Sequence, residues 1–308
     1  SKMNPLFEGV QANDAKDLVN FIIMTLHLEL NKSTKVNENQ VDEIIDQTNK
    51  ELIKKIFNED FDKKNNSIIS ELFYATNYNT TKCLNCNTFI YNFQTYFFIN
   101  FPLEEVRKYK IEIMNNQQNN NNFQNQFNNL MINPFNIFNM FQQNQFMMNQ
   151  QIQMNNNINE VNIFDCFDYD EKVNYMTGQN QMFCNYCRSN CDSYMKTNLY
   201  TGPEVLILIL NRGKGIEFDV KIYFTEELNL SKYIENKESG YMYKLIGVIT
   251  HLGESSMSGH FIAYCKDPLN EKWYKYNDAI VDEVNDFKKE VIDFAMPYLL
   301  FYQKDKNP

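Results

Sequence analysis

Apolar residues recur at three- and four-residue steps through Ala15, Leu18, Val19, Ile22, Leu26 and Leu30, the spacing of a helix with one buried face. Asn13 or Asp14 precedes the run, where a short side-chain oxygen can cap the free amides of the first turn. A second helical pattern covers about 41–57, so the helical segment is expected over 1–60. Then the period changes. Residues 89–101 are dense in aromatic and β-branched side chains with partial alternation, which predicts a long strand or hairpin. Between 114 and 159 no charged residue occurs and Asn and Gln are interspersed with Phe, Met and Ile, the low-complexity composition of an inserted loop. Its aromatics leave packing or self-association open as a second possibility. Folded patterning resumes near Glu160 with a short helix, and 203–210, Pro-Glu-Val-Leu-Ile-Leu-Ile-Leu, is an apolar run of buried-strand length. Residues 243–250, 261–266, 273–276 and 298–303 read as further strands between Gly, Pro and Asn turns. The C-terminal half is therefore expected to form an antiparallel sheet, and the chain to be α+β.

With 308 residues, 43% of them hydrophobic, the chain can fill a large core. A net charge of −10 disfavours nucleic acid, whose phosphates need a basic face, and suits a basic partner instead. No uncharged apolar run reaches about 18 residues, so no membrane span is expected, and Ser1-Lys2-Met3-Asn4-Pro5 is unlike a signal peptide. A cytoplasmic or nuclear protein is the expectation.

The seven cysteines are an odd number, and four form two CxxC pairs, which fits a reducing compartment and a metal site better than a disulfide framework. Two thiolates two residues apart on a tight turn can hold adjacent corners of a tetrahedron. Cys83, Cys86, Cys184 and Cys187 thus propose a structural four-cysteine zinc site, with no open position for chemistry. A redox pair, or simple burial, is the alternative. Cys166, Cys191 and Cys265 read as structural.

Of three histidines, His27 lies between Leu26 and Leu28 on the first helix and reads as a structural residue. His260 follows Ser258-Gly259 at the start of an apolar strand, and Trp273-Tyr274-Lys275-Tyr276-Asn277-Asp278 brings an amide and a carboxylate to the end of the next. In an antiparallel hairpin those ends lie side by side, and a histidine oriented by Asn or Asp is placed as a general base.

The ordered set of these features resembles the ubiquitin-specific proteases, a papain-like family that cleaves ubiquitin from its conjugates. The segment Gln11-Ala12-Asn13-Asp14-Ala15-Lys16-Asp17-Leu18 resembles the family's Gln- and Asp-containing box, and the CxxC pairs resemble its zinc-bearing fingers at 72–101 and 180–201. The segments 203–212, 243–253, 258–264, 273–281 and 295–302 resemble, in order, its Pro-hydrophobic strand and C-terminal histidine box, although Gly213 stands where the family has an aromatic. The resemblance implies a single domain with a residual helical thumb, zinc fingers and a palm at 202–308. It implies His260 as base, Asn277 as its orienting residue and Asp278 as supporting neighbour. His251 is then the residue shaping the turn around the substrate, and Asp14 the acidic contact for the basic tail of ubiquitin, a role compatible with helix capping. Ubiquitin and ubiquitinated proteins are the implied partners.

The family's nucleophile sits in an Asn-x-Gly-x-Thr-Cys box upstream of the Gln/Asp box, and no such motif occurs in these residues. Two functions follow as expectations. The chain is either part of an active deubiquitinase whose thiol lies upstream, inactive by itself, or a non-catalytic ubiquitin-binding scaffold on the same fold.

Overall fold

Asp14 caps the first helix, α1 (Ala15–Leu30), by accepting the Lys16 amide at 2.9 Å. The computed structural model describes residues 14–33, 46–130, 159–212, 219–237, 240–255, 258–294 and 296–306. The buried stripe of α1 is not the expected one. Leu18, Ile22, Leu26 and Leu30 are all 40% exposed or more, whereas Ile23 and His27 are buried, with Ala15 and Val19 continuing their line toward the core. The polar His27 interrupts the true stripe in the sequence and hides it.

The second helix begins later than its periodicity suggests. Asp46 binds the Thr48 amide and hydroxyl, Asn49 caps Leu52, and α2 runs Lys50–Lys64, while 34–45 lie outside the described residues. Short polar side chains competing for backbone amides set that start. A capping box at Ser67 then opens α3 (Ile68–Phe73).

From here the chain builds two sheets alternately. β1 (Ala75–Cys83) and β2 (Phe89–Tyr96) form a hairpin, and β3 (Ile99–Pro102) leaves it for the other sheet. The 89–101 stretch is therefore two strands divided between sheets. Helix α4 (Leu103–Leu130) carries the chain into the Asn/Gln-rich region, so 114–130 is helical and not loop; 131–158 lie outside the described residues. No glycine or proline stands between 103 and 133 to stop it, and the Glu104–Arg107 and Glu105–Lys108 pairs reinforce its first turns. Next come β4 (Glu160–Asn162), α5 (Ile163–Asp170), β5 (Asn174–Met176), β6 (Met182–Cys184), β7 (Ser189–Cys191) and β8 (Ser193–Leu199). The finger sheet is ordered β2-β1-β8-β5, with β6 and β7 as a separate hairpin.

The palm follows: β9 (Val205–Asn211), β10 (Lys221–Tyr223), β11 (Glu227–Asn229), β12 (Met242–Ser255), β13 (Ser258–Lys266), β14 (Trp273–Asn277), β15 (Ile280–Glu283) and β16 (Pro297–Lys304). Its order is β15-β14-β13-β12-β16-β9-β3, with β11 also on β12 and β10 paired to β4 in a small parallel pair. The sheet is antiparallel except where β3 joins β9 in parallel, a contact from outside the C-terminal half that the antiparallel expectation missed. The unbroken apolar run of β9 has a clear cause: Leu206, Leu208 and Leu210 enter the main core, and Ile207 and Ile209 enter a second core with Ile23 of α1, Ile69 of α3 and Leu299. A strand covered on both faces needs no polar alternation.

His27 is buried against Ser67, whose Oγ lies 2.8 Å from its Nδ1. Burial lowers its pKa, with the Asn65 side chain opposing, so below about 6.5 the unfolded chain takes up a proton that the folded one refuses. This stabilisation is full above the unfolded pKa and is lost as pH falls toward the depressed folded value. Urea midpoints at pH 7.5 and 5.5 should therefore differ more for the native protein than for His27→Gln; equal differences would remove His27 from the cause.

Candidate active site and metal centre

The pairing Leu252↔His260 and His251↔Phe261 sets both histidines at the same end of the β12–β13 hairpin. β14 runs beside β13 and ends at Asn277, whose Oδ1 lies 2.6 Å from His260 Nε2. An amide oxygen only accepts, so Nε2 carries the proton and Nδ1 keeps its lone pair for incoming protons. Asp278 Oδ2 stands 3.7 Å from the same Nε2, with its carboxylate largely in solvent. Its φ of 51° starts the two-residue turn into β15, a left-handed position that Asp tolerates.

Gly259 is required by packing. A Cβ there would stand 2.3 Å from His251 Cε1 and Nε2 and 2.5 Å from the Leu252 carbonyl. His251 is thus a buried ring beneath the turn, 9% exposed, where it supports the backbone leading into His260. Burial lowers its pKa; Asp14 pulls it up, and Arg212 and His260 push it further down.

Asp14 belongs to the same neighbourhood through side chains remote in sequence. The Tyr298 hydroxyl donates to its carboxylate, 2.7 Å from both oxygens, and Lys16 Nζ pairs with it at 3.3 Å. The Tyr298 ring lies 5.3 Å from that of Phe261, which lies 4.7 Å from His251. All five expected site residues, Asp14, His251, His260, Asn277 and Asp278, therefore gather around the ends of β12, β13 and β14. Tyr298 went unassigned because an aromatic in a buried strand carries no sign of a polar partner.

Beneath the site, Arg212 is 2% exposed and donates from Nε to the Pro297 carbonyl at 3.0 Å and from Nη1 to the Val220 carbonyl at 2.5 Å. Burial lowers its pKa to about 10 against the pull of Asp219, so it stays cationic at neutral pH.

At the far end of the fingers, the β1–β2 turn brings Cys83 and Cys86 to Cys184 and Cys187 of the β6–β7 turn. The four sulfurs all lie within 4.8 Å of one another, with Cys83 Sγ 3.9 Å from Cys187 Sγ and Cys86 Sγ 3.7 Å from Cys184 Sγ. Tetrahedral zinc at ~2.3 Å from each sulfur sets them about 3.8 Å apart, so the donor set fits. Each knuckle turns on a left-handed residue directly after its second cysteine, Asn87 at φ 59° and Arg188 at φ 56°. The Thr88 hydroxyl and amide hold the Cys86 thiol down at about 6. Cys187, despite the Asn85 amide at 3.3 Å, is pushed up to about 12 by burial and by Cys86, Cys184 and Cys191. Closely packed sulfurs resist full ionisation until a divalent cation compensates them. Asn85 and Thr88 are sulfur partners that sequence reading passed over; their place inside and just after a CxxC was the available signal. Cys191 is buried against this cluster, and Cys166 lies in the main core.

The family model Ubiquitin carboxyl-terminal hydrolase matches residues 1–302. Ubiquitin carboxyl-terminal hydrolase 48 of Rattus norvegicus is 33% identical over 134 residues, 41% of this chain and 13% of that protein. Ubiquitin carboxyl-terminal hydrolase Usp2 of Drosophila melanogaster is 21% identical over 310 residues, 99% of this chain and 27% of that protein. The chain thus spans less than a third of the curated relatives it matches. Among solved structures, the SAGA Ubp8/Sgf11/Sus1/Sgf73 DUB module bound to ubiquitin aldehyde matches 99% of this chain and 52% of its own at TM-score 0.58 and 18% identity. The same module bound to monoubiquitin matches at TM-score 0.59. The shared fold is that of a USP-type deubiquitinase domain.

Metal analysis of the purified protein should give about one zinc per chain, and Cys83→Ser should lose the metal and lower Tm; well under one zinc with unchanged Tm would refute the site. Gly259→Ala should cost about 1–3 kcal/mol through the clash with the His251 ring and the Leu252 carbonyl, read as a drop in urea midpoint that His251→Ala relieves only in part, because the backbone carbonyl stays in place.

Proposed function

Because this chain belongs to the ubiquitin carboxyl-terminal hydrolase family, we propose that it is the base-bearing part of a deubiquitinating thiol hydrolase that cuts isopeptide and peptide bonds after ubiquitin's C-terminal glycine. The observation that carries the proposal is the 2.6 Å His260–Asn277 hydrogen bond, which orients the ring and leaves Nδ1 as the base. A thiol gives its proton to Nδ1, and the thiolate attacks the carbonyl carbon. The imidazolium then protonates the departing lysine amine, and the neutral ring takes a proton from the water that hydrolyses the thioester. Asp278 sets negative charge beside the imidazolium formed in each transfer.

Asp14 is the contact for the basic tail of ubiquitin, held in place by Tyr298 while it caps α1. The solved modules resembling this chain hold ubiquitin aldehyde and monoubiquitin, and its own net charge of −10 suits a basic partner segment. Ubiquitinated proteins of the cytoplasm or nucleus are the proposed substrates. Zinc, held by the four finger cysteines, supplies structure and takes no part in the reaction.

We propose that the nucleophile lies outside these residues. Four cysteines form the finger cluster, Cys191 packs on it, Cys166 is buried in the core, and Cys265 lies five residues along β13 from His260, roughly 16 Å at strand rise. We therefore propose a cysteine N-terminal to these residues, without which they do not turn over. The same placement favours a second reading, a ubiquitin-binding scaffold that has no thiol at the site.

Reaction with ubiquitin bearing a C-terminal thiol-reactive group separates the two. The protein as its gene encodes it should be labelled at one upstream cysteine, about 10²-fold more slowly in His260→Ala and slowed also in Asn277→Ala, whereas residues 1–308 alone should not be labelled. Absence of labelling in both, with ubiquitin binding retained, would establish the scaffold.

A further inference from the structure

β15 is the outermost strand of the palm and, among the described residues, pairs with β14 alone. All four of its residues are exposed, including Ile280 at 59% and Val281 at 54%, which point to opposite faces. Alternate residues of such a strand turn N–H and C=O groups outward, ready to pair with another extended chain. Proteins usually block such an edge. Here the charge stands at one end only: Asp282 and Glu283 close the strand, and the end beside the turn, Ile280-Val281, is β-branched.

The edge is tied to the candidate active site. Ile280 pairs with Asn277, the residue that orients His260. A strand added to β15 would lie one strand spacing beyond it, roughly 10 Å from Asn277 and about 15 Å from β13, which carries His260, so the modified lysine comes from the part of that chain that runs on past the Asp278–Ala279 turn and bends inward. The local charge is selective as well. The segment 271–293 holds seven carboxylates and four lysines; Lys272 pairs with Glu283 at 2.7 Å, and Lys275 stands opposite Asp282 in the β14–β15 register. Asp278 in the turn is 82% exposed, and Asp282 lies on β15 itself.

We infer that the free edge of β15 takes up the extended segment of the ubiquitinated protein around its modified lysine by strand addition, and that it prefers segments rich in Lys and Arg. The inference rests on the proposed hydrolase function and names the substrate class of that site. Main-chain pairing tolerates any sequence and sets the register that delivers the leaving amine to His260. The acidic surroundings supply the preference.

The test compares, for the full-length protein, ubiquitin carrying a C-terminal dye amide with ubiquitin joined through lysine to a short basic or a short acidic peptide. At low salt kcat/KM should be on the order of tenfold higher for the basic conjugate, and the ratio should shrink as salt rises. Asp282→Lys should reduce the ratio to near one, Val281→Pro, which denies an added strand its donor, should lower the rate on both conjugates, and neither should alter dye-amide cleavage. If Val281→Pro fails to fold, conjugates whose peptide is N-methylated at alternate backbone amides take its place, and an unchanged rate on them would overturn strand addition. Equal rates on the two conjugates, or a preference that survives Asp282→Lys, would overturn the inference and leave the hydrolase reading intact. Failure to cleave the dye amide would overturn both.

Discussion

His260 reaches Asn277 only because β12, β13 and β14 hold one register. Side chains alternate faces along a strand, so a slip of one residue would turn His260 to the other side of the sheet and put Phe261 in its place. Two restraints oppose such a slip. The β12–β16 ladder shifts register between Leu245 and Gly247 and again between Ile249 and Thr250, which pins β12 against its neighbour. At the hairpin end, the His251 ring lies so close to residue 259 that only a hydrogen fits between them. The geometry of the proposed base is thus decided by packing one layer below it.

The parts of this arrangement that were legible in the sequence are those governed by local rules. The α1 cap at Asp14, the apolar run of β9 and the CxxC spacing each need only neighbouring residues to be recognised. Strand arithmetic also brought His260 and Asn277 together, because one short hairpin separates them. Pairing across distance was not legible. Tyr298 and Asp14 are 284 positions apart, and β3 joins the palm across α4 and the finger strands. The finger strands β1 and β8, Ala-Thr-Asn-Tyr-Asn-Thr-Thr-Lys-Cys and Ser-Tyr-Met-Lys-Thr-Asn-Leu, are half-buried and polar, so no apolar period marks them. Asn87 and Arg188 hide their left-handed turns because neither is glycine.

The fingers are braced as well as tipped with metal ligands. Lys50 of α2 lies 4.1 Å over the Tyr78 ring of β1, bonds its hydroxyl at 2.8 Å and pairs with Glu235 at 2.6 Å. The Tyr78 hydroxyl donates to the same carboxylate, and Tyr96 of β2 donates to the Thr201 carbonyl at 2.7 Å. These contacts fasten the base of the finger sheet to α2 and to the approach to the palm, which leaves the four cysteines to order only the tip.

The place of β16 has a consequence for how the protein is made. In the sheet it lies between β12 and β9, yet it is the latest of the palm strands in chain order. Arg212 likewise waits for the Pro297 carbonyl that arrives with that strand. In chain order β9 and β12 are therefore complete before the strand that joins them, and the edge that each turns toward β16 finds its partner only when that strand is present. The centre of the palm sheet is thus closed by the strand that comes last among the described ones, so a chain cut before Pro297 would lack the link between the two halves of the sheet.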